Sequence, residues 1–339
     1  MRRSLAVLLA LAAGLVAGCG GSSRPTATSQ IAVPATVSSA ATATATATPV
    51  SFPSAGGKVL SELKTGVPEG LELAPSVSVL QPGRNRYGFA LFDAARKQLA
   101  EAPVALYVSN GDGTGLRGPY VAHSESLAVR PQFESRTTQV DPDAAKSVYV
   151  AELPFARTGR FRVTAIAELD GRAVTTTSVP AQVSDPSPGL PPAVGARAPL
   201  LHTPTLASVG GDAARIDTRS PAATDLLTTD LATVYGRKPV ALLFATPALC
   251  QSRVCGPVVD VMEEVRNEVG DRQIAFIHNE IYRENRIDQG LRPQPAAYRL
   301  PTEPWLFVLD RRGRVAERIE GAFSAAELER AVAKVTERG

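Results

Sequence analysis

Two cysteines five positions apart are the side chains of this sequence best suited to chemistry. Cys250 and Cys255 lie in the segment FATPALCQSRVCGPVVD. Such a pair could be a working dithiol, a structural disulfide or half of a metal site. Within one α-helix, five residues would separate the cysteines by about 7.5 Å along the axis, but a disulfide needs Cα atoms about 4.4–6.8 Å apart. If the two thiols pair, Cys250 must therefore lie in a loop that leads into the first turn of a helix.

The helix start that this segment predicts would favour a reactive thiol. Gly256-Pro257 follows the second cysteine and fits a first helical turn, where proline is tolerated. The unpaired N–H groups and partial positive charge of a helix N-terminus stabilise a thiolate, and Arg253 adds a cation between the cysteines. Cys250 is the expected attacking thiol because a loop gives better access, and Cys255 would then resolve the mixed disulfide.

The N-terminus has the charge and length of an export signal. MRR precedes the apolar segment SLAVLLALAAGLVAG, which at about 15 residues is too short for a comfortable membrane span. The segment ends in VAGC, which resembles the lipobox of bacterial lipoproteins. This resemblance implies that residues 1–19 are a lipoprotein signal peptide and that Cys19 carries the lipid, so that the protein is anchored at the extracytoplasmic face of the cell membrane. A plain signal peptide with an incidental cysteine, or an uncleaved anchor, is the alternative.

The small number of cysteines favours a chemical role for the pair. The chain has three cysteines, so lipidation of Cys19 would leave Cys250 and Cys255 as the only thiols. Disulfides persist in an exported, oxidising compartment. A disulfide that closes so short a loop gains little stability from chain entropy, because that gain grows with loop length. Thiol exchange is therefore the favoured role, with a structural disulfide as the alternative.

Composition argues against several classes of function. The 339 residues are 44% hydrophobic, which is enough for sizeable cores, and 36 basic residues against 33 acidic ones give a net charge of +3. This balance, without stripes of Lys and Arg between aromatic residues, argues against nucleic-acid binding. The sequence has no P-loop, no Gly-x-Gly-x-x-Gly segment and no zinc-type pair of Cys-x-x-Cys motifs. No motif therefore implies an organic cofactor.

A tether and an all-β domain are predicted after the signal peptide. Residues 20–57 are mostly Gly, Ser, Thr, Ala and Pro and predict a disordered, flexible tether. In residues 58–184 the segments RYGFALFD, PVALYVS and FRVTAIAELDGR alternate apolar and polar residues, and Asp170-Gly171 forms a tight hairpin turn. This pattern predicts a β-sandwich with one core between two sheets, and it resembles the immunoglobulin-like domains of exported bacterial proteins. We expect a spacer or docking module.

The pattern changes after a proline-rich linker over residues 185–199. In residues 200–339, PVALLFAT and QIAFIHNEI are continuous apolar runs typical of buried strands, and apolar residues at helical spacing follow Cys255. PWLFVLD and RVAERIEG predict two more strands around the turn DRRGR. Ser324 and Glu327 have the spacing of a capping box at the start of a last helix. The predicted order is β-α-β followed by β-β-α.

This order of elements resembles the thioredoxin fold, and the resemblance covers about residues 195–337. The family signature is a Cys-Gly-Pro-Cys type motif at the start of the first helix, with a cis-proline facing it. Cys255-Gly256-Pro257 matches three of the four positions, but Val258 replaces the second cysteine, and Pro304 matches the cis-proline. The resemblance implies an α/β domain that exchanges thiols and disulfides, with Pro304 shaping the groove where a substrate chain docks.

The neighbours of Pro304 have their own predictions. Glu303 departs from the family pattern, because a carboxylate near the cysteines would raise the pKa of a thiol and temper its reactivity. The alternative for Glu303 is a side chain that faces solvent. Trp305 could be a platform for substrate, but packing in the core is the favoured prediction.

Three other functions fit the same residues. TPALC resembles the Thr-x-x-Cys loop of peroxiredoxins, although Thr246 lies one residue too far from Cys250. A copper-delivery protein of the thioredoxin-like type would use Cys250, Cys255 and a histidine, for which His278 is available, because thiolates and imidazole suit copper. The third is a non-catalytic thioredoxin-like binding module with a structural disulfide.

The sequence therefore predicts an exported, lipid-anchored protein with an N-terminal all-β sandwich and a C-terminal α/β thioredoxin-like domain. We expect Cys250 and Cys255 to exchange with protein thiols or disulfides outside the cytoplasm. The direction of exchange depends on a reduction potential that residue types do not determine.

Overall fold

The computed structural model describes residues 51–337. The predicted signal peptide with Cys19 lies outside this range, as does most of the predicted tether. None of the helices within the described range is both long enough and apolar enough to cross a membrane.

Nine strands and two short helices make up the first half of the described chain. The strands are β1 (Glu69–Pro75), β2 (Gly83–Asp93), β3 (Gln98–Leu99), β4 (Val104–Asn110), β5 (Arg117–Ser126), β6 (Ser147–Phe155), β7 (Gly159–Leu169), β8 (Arg172–Thr176) and β9 (Val179–Val183). The helices are α1 (Leu60–Lys64) and α2 (Arg136–Gln139). The all-β prediction for this part of the chain is confirmed.

Seven of these strands form a closed ring, which corrects the predicted two-sheet sandwich. The ring runs in the order β1-β8-β7-β4-β5-β6-β2 and closes because β1 also pairs with β2. The β1–β8 pairing is parallel, and the others in the ring are antiparallel. Because each strand of the ring is hydrogen-bonded to a neighbour on both sides, the seven strands form one closed sheet instead of two separate sheets.

Alternation along the strands fills the ring with apolar side chains. The alternating apolar residues of the three segments named above lie in a single core, namely Tyr87, Phe89, Leu91, Val104, Leu106, Val108, Phe161, Val163, Ala165 and Ala167. The predicted hairpin turn joins β7 to β8, and both of its residues have positive φ, 50° at Asp170 and 74° at Gly171. Such angles match the right-handed twist of the flanking strands.

A four-stranded mixed sheet with helices follows in the second half. The strands are β10 (Val240–Phe244), β11 (Ala275–Asn279), β12 (Trp305–Leu309) and β13 (Val315–Glu320). The helices are α3 (Leu231–Val234), α4 (Cys255–Val269), α5 (Pro293–Ala297) and α6 (Ala325–Thr336). The sheet order is β11-β10-β12-β13, with β10 parallel to β11 and antiparallel to β12. The predicted capping box starts α6, where Ser324 Oγ accepts from Glu327 N at 3.1 Å.

Both faces of this sheet are covered by apolar side chains. One face packs against α4 and α6 through Ala241, Leu243, Val258, Met262, Leu306, Val308, Leu328 and Val332. The other face holds Leu242, Phe244, Tyr298, Trp305 and Phe307. Trp305 is 1% exposed and its Nε1 donates to Thr302 Oγ1 at 3.0 Å, so it is a core residue, as predicted.

The proline-rich segment between the halves runs along β13. Gly195 N donates to Val315 O at 2.8 Å, and Ala198 N donates to Gly313 O at 2.9 Å. Residues 51–337 belong to one compact unit. The domain boundaries proposed from the sequence stay a prediction.

A buried carboxylate on α4 connects the two halves. Asp260 is 1% exposed and accepts hydrogen bonds from Thr138 Oγ1 at 2.6 Å and Ser135 Oγ at 3.2 Å, both at the start of α2. Its other oxygen accepts from Arg219 Nε at 2.7 Å. Arg219 also donates to the Phe133 carbonyl at 2.7 Å and forms a second ion pair with Glu263, whose Oε2 lies 2.5 Å from its Nη2.

Other contacts extend this interface. Arg86 of β2 donates to both carboxylate oxygens of Glu327, at 2.7 and 2.8 Å. Arg130 Nε donates to Glu264 on α4 at 2.6 Å. The core beneath α4 also includes Leu127 and Val148 of the first half. The halves therefore share both a polar network and an apolar core.

We predict that Asp260→Ala lowers the free energy of unfolding by about 3 kcal/mol, because the buried Arg219 keeps only Glu263 as an ion-pair partner and the hydroxyls of Ser135 and Thr138 lose their buried acceptor. Urea denaturation followed by circular dichroism measures this loss. Arg286→Ala is the matched control, since Arg286 pairs with Asp288 on the surface, and its unfolding midpoint should stay at the wild-type value. Equal midpoints for the two variants would contradict the assigned role of Asp260.

Candidate functional site

Cys250 and Cys255 form a disulfide at the start of α4. Their Cα atoms lie 5.9 Å apart. Cys250 lies in the turn that follows β10, where its N–H donates to Thr246 O at 3.1 Å, and Cys255 is the first residue of α4. This is the loop-to-helix placement that a disulfide at this spacing requires.

The N-terminus of α4 offers hydrogen-bond donors to a thiolate. The residue before the helix, Val254, has no side-chain acceptor for the N–H groups of the first turn. These groups and the helix dipole favour negative charge at the sulfurs once the disulfide is reduced. The guanidinium of Arg253 contributes less than predicted, because its Nη1 lies 3.2 Å from Asp141 Oδ2.

Both sulfur-bearing residues are largely covered. Cys250 is 5% exposed and Cys255 is 0% exposed. Ser252 Oγ lies 3.2 Å from Cys250 Sγ. Cys250 is therefore more exposed than Cys255, as predicted. However, the loop between the cysteines shields Cys250 more than the sequence suggested.

The segment before β12 lies against Cys255. The peptide bond between Glu303 and Pro304 is cis, as the family resemblance implied. Pro304 is buried, and its carbonyl accepts from Gly321 N at 2.9 Å. Glu303 Oε2 lies 3.7 Å from Cys255 Sγ, so this side chain does not simply face solvent.

Burial changes the acidity of Glu303. Desolvation, with a smaller contribution from the nearby Glu280 carboxylate, raises the pKa of Glu303 to about 8. The side chain is therefore mostly protonated at neutral pH. A neutral carboxyl does not repel a thiolate, and its O–H can donate to a sulfur of Cys255. The predicted antagonism between Glu303 and the thiols therefore applies only above the pKa of Glu303.

His278 belongs to a different cluster from the cysteines. It lies at the end of β11, where its Nε2 is 3.0 Å from Ala245 O and its Nδ1 is 3.7 Å from Asp217 Oδ1. Among the described residues, the possible metal-ligand atoms within 4.8 Å of one another group His278 with Asp217 and Glu280. Cys250 and Cys255 group with Glu303 instead.

Sequence reasoning missed the acidic partners of this second cluster. Asp217, His278 and Glu280 are all buried, and burial raises the pKa of Glu280. The polar residues that end the apolar run QIAFIHNEI were the available signal for His278 and Glu280. Asp217 lies in a segment without periodicity, so nothing in the sequence pointed to it.

Comparisons with known proteins find partial similarities to solved structures, two of which are described below. No protein-family model matches the chain, and no curated protein is similar to it. A thiol:disulfide interchange protein of the thioredoxin family from Chlorobium tepidum TLS is similar at 17% identity and a TM-score of 0.28, covering 45% of this chain and 99% of that one. The Lin-41 filamin domain is similar at 11% identity and a TM-score of 0.19, covering 35% of this chain and 95% of that one. At these TM-scores neither similarity establishes a shared fold or function.

We predict that Glu303→Gln removes a pH dependence of stability. The pKa of Glu303 is about 8 in the folded protein against an ordinary value of 4.5, so between these pH values the folded chain retains a proton that the unfolded chain has released. The free energy of unfolding therefore falls as pH rises through this window, by up to about 1.4 kcal/mol per pH unit. Glutamine cannot release that proton, so the variant should gain stability over wild type at pH 8.

Denaturant titrations between pH 4 and 9 provide the measurement. Glu72→Gln, at an exposed position of β1, is the matched control and should keep the wild-type profile. If the free energy of unfolding of Glu303→Gln and of wild type changed with pH in the same way, the pKa of Glu303 would be the same in the folded and unfolded states, and the prediction would be wrong.

Proposed function

We propose that this protein is an exported, lipid-anchored thiol-disulfide oxidoreductase that acts on protein thiols or disulfides outside the cytoplasm. The observation that carries the proposal is the Cys250–Cys255 disulfide at the N-terminus of α4, beside the cis peptide bond before Pro304. A disulfide placed at a helix N-terminus has its reduced form stabilised as a thiolate, which is the reactive species in exchange.

The arrangement of the second half supports a thioredoxin-like fold in this proposal. The parallel strands β10 and β11 flank α4 in the chain, and the antiparallel strands β12 and β13 precede α6. The disulfide follows the inner strand β10, and Pro304 directly precedes the neighbouring strand β12. This is the order of elements on which the sequence resemblance rests.

The exchange proceeds in two balanced steps. A substrate thiolate attacks Cys250 Sγ, a mixed disulfide forms, and the electron pair of the broken S–S bond leaves on Cys255 Sγ. A second substrate thiolate then attacks the substrate sulfur of the mixed disulfide and releases the Cys250 thiolate. Each substrate thiol releases a proton to become the attacking thiolate, and each released protein thiolate takes one up. Overall, two substrate thiols lose two electrons and two protons and the protein gains them, and the reverse sequence reduces a substrate disulfide.

The neighbours of the sulfurs fit this assignment of roles. Cys250 is the more exposed of the two, so it is the sulfur that a substrate can reach. Glu303, protonated at neutral pH, lies near Cys255 Sγ and can donate to the thiolate that leaves in the first step.

A non-catalytic binding module with a structural disulfide is the second candidate. Its supporting observation is that both cysteines are less than a tenth exposed. A disulfide that is shielded in this way can remain oxidised until the surrounding structure opens.

We predict that the chain from residue 20 onward undergoes a reversible two-electron redox transition in glutathione or dithiothreitol buffers. Free thiols are counted by alkylation and mass, and the midpoint gives the direction of exchange that the compartment favours. Cys255→Ser should trap mixed disulfides on Cys250, whereas Cys250→Ser should trap few, because the remaining thiol is inaccessible. Reduction that occurs only when the chain unfolds would establish the structural disulfide instead.

We predict that Cys19→Ser moves the protein from the membrane fraction to the soluble fraction of its native cell type. The proposal depends on thioether attachment of the lipid at Cys19, which serine cannot support. Fractionation, with incorporation of a labelled fatty acid, makes the measurement. Ser23→Ala, just beyond the lipobox, is the control and should remain in the membrane fraction.

A further inference from the structure

A groove between the two halves leads to the disulfide. Its volume is about 880 Å³, within the range of sites that hold small ligands or short chain segments. The first half contributes the end of β1, the middle of β2 and the loop before β6. The second half contributes residues 251–254, between the cysteines, and residues 302–303, before the cis-proline.

Two side chains of the groove touch the disulfide itself. Ser252 Oγ lies 3.2 Å from Cys250 Sγ, and Glu303 Oε2 lies 3.7 Å from Cys255 Sγ. Neither cysteine lines the groove itself, so a chain segment there lies one side chain away from the sulfurs.

The wall of the groove is held in place by contacts between the halves. Ala145 N donates to Arg253 O at 3.0 Å, which fixes the loop between the cysteines against the first half. Glu320, at the end of β13, accepts from Ser78 Oγ at 2.6 Å and from Val79 N at 3.0 Å. The groove is thus a built feature of the fold rather than a gap between loosely associated parts.

The lining combines apolar surface with unpaired positive charge. The half-buried apolar residues are Val77, Ala90, Phe92, Ala145 and Val254. Arg96, Lys97 and Lys146 are exposed along the groove, and within residues 51–337 none of the three forms an ion pair.

The negative charges of the groove are largely compensated. Glu320 is hydrogen-bonded to Ser78 and also accepts from Thr302 Oγ1 at 2.6 Å. Glu303 is mostly protonated at neutral pH because its pKa is about 8. Asp143 is the acidic residue of the lining that remains exposed, so positive charge prevails along the groove.

We propose that this groove binds an extended segment of a partner polypeptide and presents a cysteine of that segment to the Cys250–Cys255 disulfide. The segment has an apolar residue next to its cysteine and acidic residues on either side. The selection of acidic segments follows from charge complementarity with Arg96, Lys97 and Lys146. The proposal rests on the proposed exchange function for its chemical outcome, but the binding itself does not depend on exchange.

The test compares two synthetic peptides with the same central Ala-Cys-Phe, one flanked by Asp and Glu and the other by Lys and Arg. Rates of thiol transfer to the oxidised protein are measured by acid quench and mass spectrometry. Flanking charges alter the pKa of the peptide thiol itself, so each peptide is compared across protein variants rather than with the other peptide. Anisotropy of labelled peptides with serine in place of cysteine measures binding without exchange.

The groove variant is Lys97→Glu with Lys146→Glu, and the matched control is Lys58→Glu with Arg172→Glu. All four positions are exposed, both variants change the net charge equally, and the control positions lie outside the groove. The groove variant should lose about tenfold in rate and affinity for the acidic peptide and gain for the basic one. The control should stay within about twofold of wild type, and 0.5 M salt should reduce the difference.

Equal effects of the groove and control variants on both peptides would overturn the groove assignment, whether or not exchange occurs. If the groove variant changed the rate of exchange with glutathione but not with the peptides, the groove assignment would also be overturned, because the occupant would then be a small thiol. Charge-selective binding of the serine peptides without any thiol transfer would support the groove and refute the exchange function. The two proposals therefore fail by different measurements.

Discussion

The buried Asp260 carboxylate holds α4 against the β-rich half through hydrogen bonds to side chains of both halves. This residue lies in the second turn of the helix that begins at Cys255, and it joins α2 of the first half to Arg219 of the second. Removing the carboxylate would take one of two ion-pair partners from the buried Arg219 and the acceptor from two hydroxyls, which costs more than losing a hydrogen bond at the surface. The orientation of α4, and with it the position of Cys255, is therefore set by contacts with the β-rich half. The disulfide and the groove beside it follow from that orientation.

Close approach of backbones at two glycines reinforces this constraint. A Cβ at Gly256 would lie 2.9 Å from Thr138 Oγ1, the hydroxyl that donates to Asp260. A Cβ at Gly321 would lie 2.5 Å from Ser76 O, and Gly321 has a φ of 81° that favours glycine. Gly256, which matches the thioredoxin motif, thus has a packing reason in this chain. The β-rich half therefore contacts the first turn of α4 directly.

Local patterns in the sequence predicted the strands and helices, but they could not predict contacts between residues far apart in the chain. Alternation placed Phe89 and Val163 in the core, and the spacing of Ser324 and Glu327 predicted the start of α6. The placement of Cys250 in a loop and Cys255 in the first helical turn followed from the Cα distance that a disulfide requires and the five-residue spacing of the cysteines. The bond from Ala145 to Arg253 could not be predicted, since it joins residues more than a hundred positions apart without complementary side chains. For the same reason the strand pairings that close the ring were not foreseen.

Burial of the disulfide restricts how a substrate can reach it. The loop between the cysteines covers Cys250, and the hydrogen bond from Ala145 N holds this loop at Arg253, a non-glycine residue with a φ of 58°. A left-handed conformation at such a residue is disfavoured on its own and is maintained by the surrounding contacts. Access to Cys250 Sγ therefore depends on the contact between the loop and the first half. The loop that shields Cys250 Sγ thus also lines the groove between the halves.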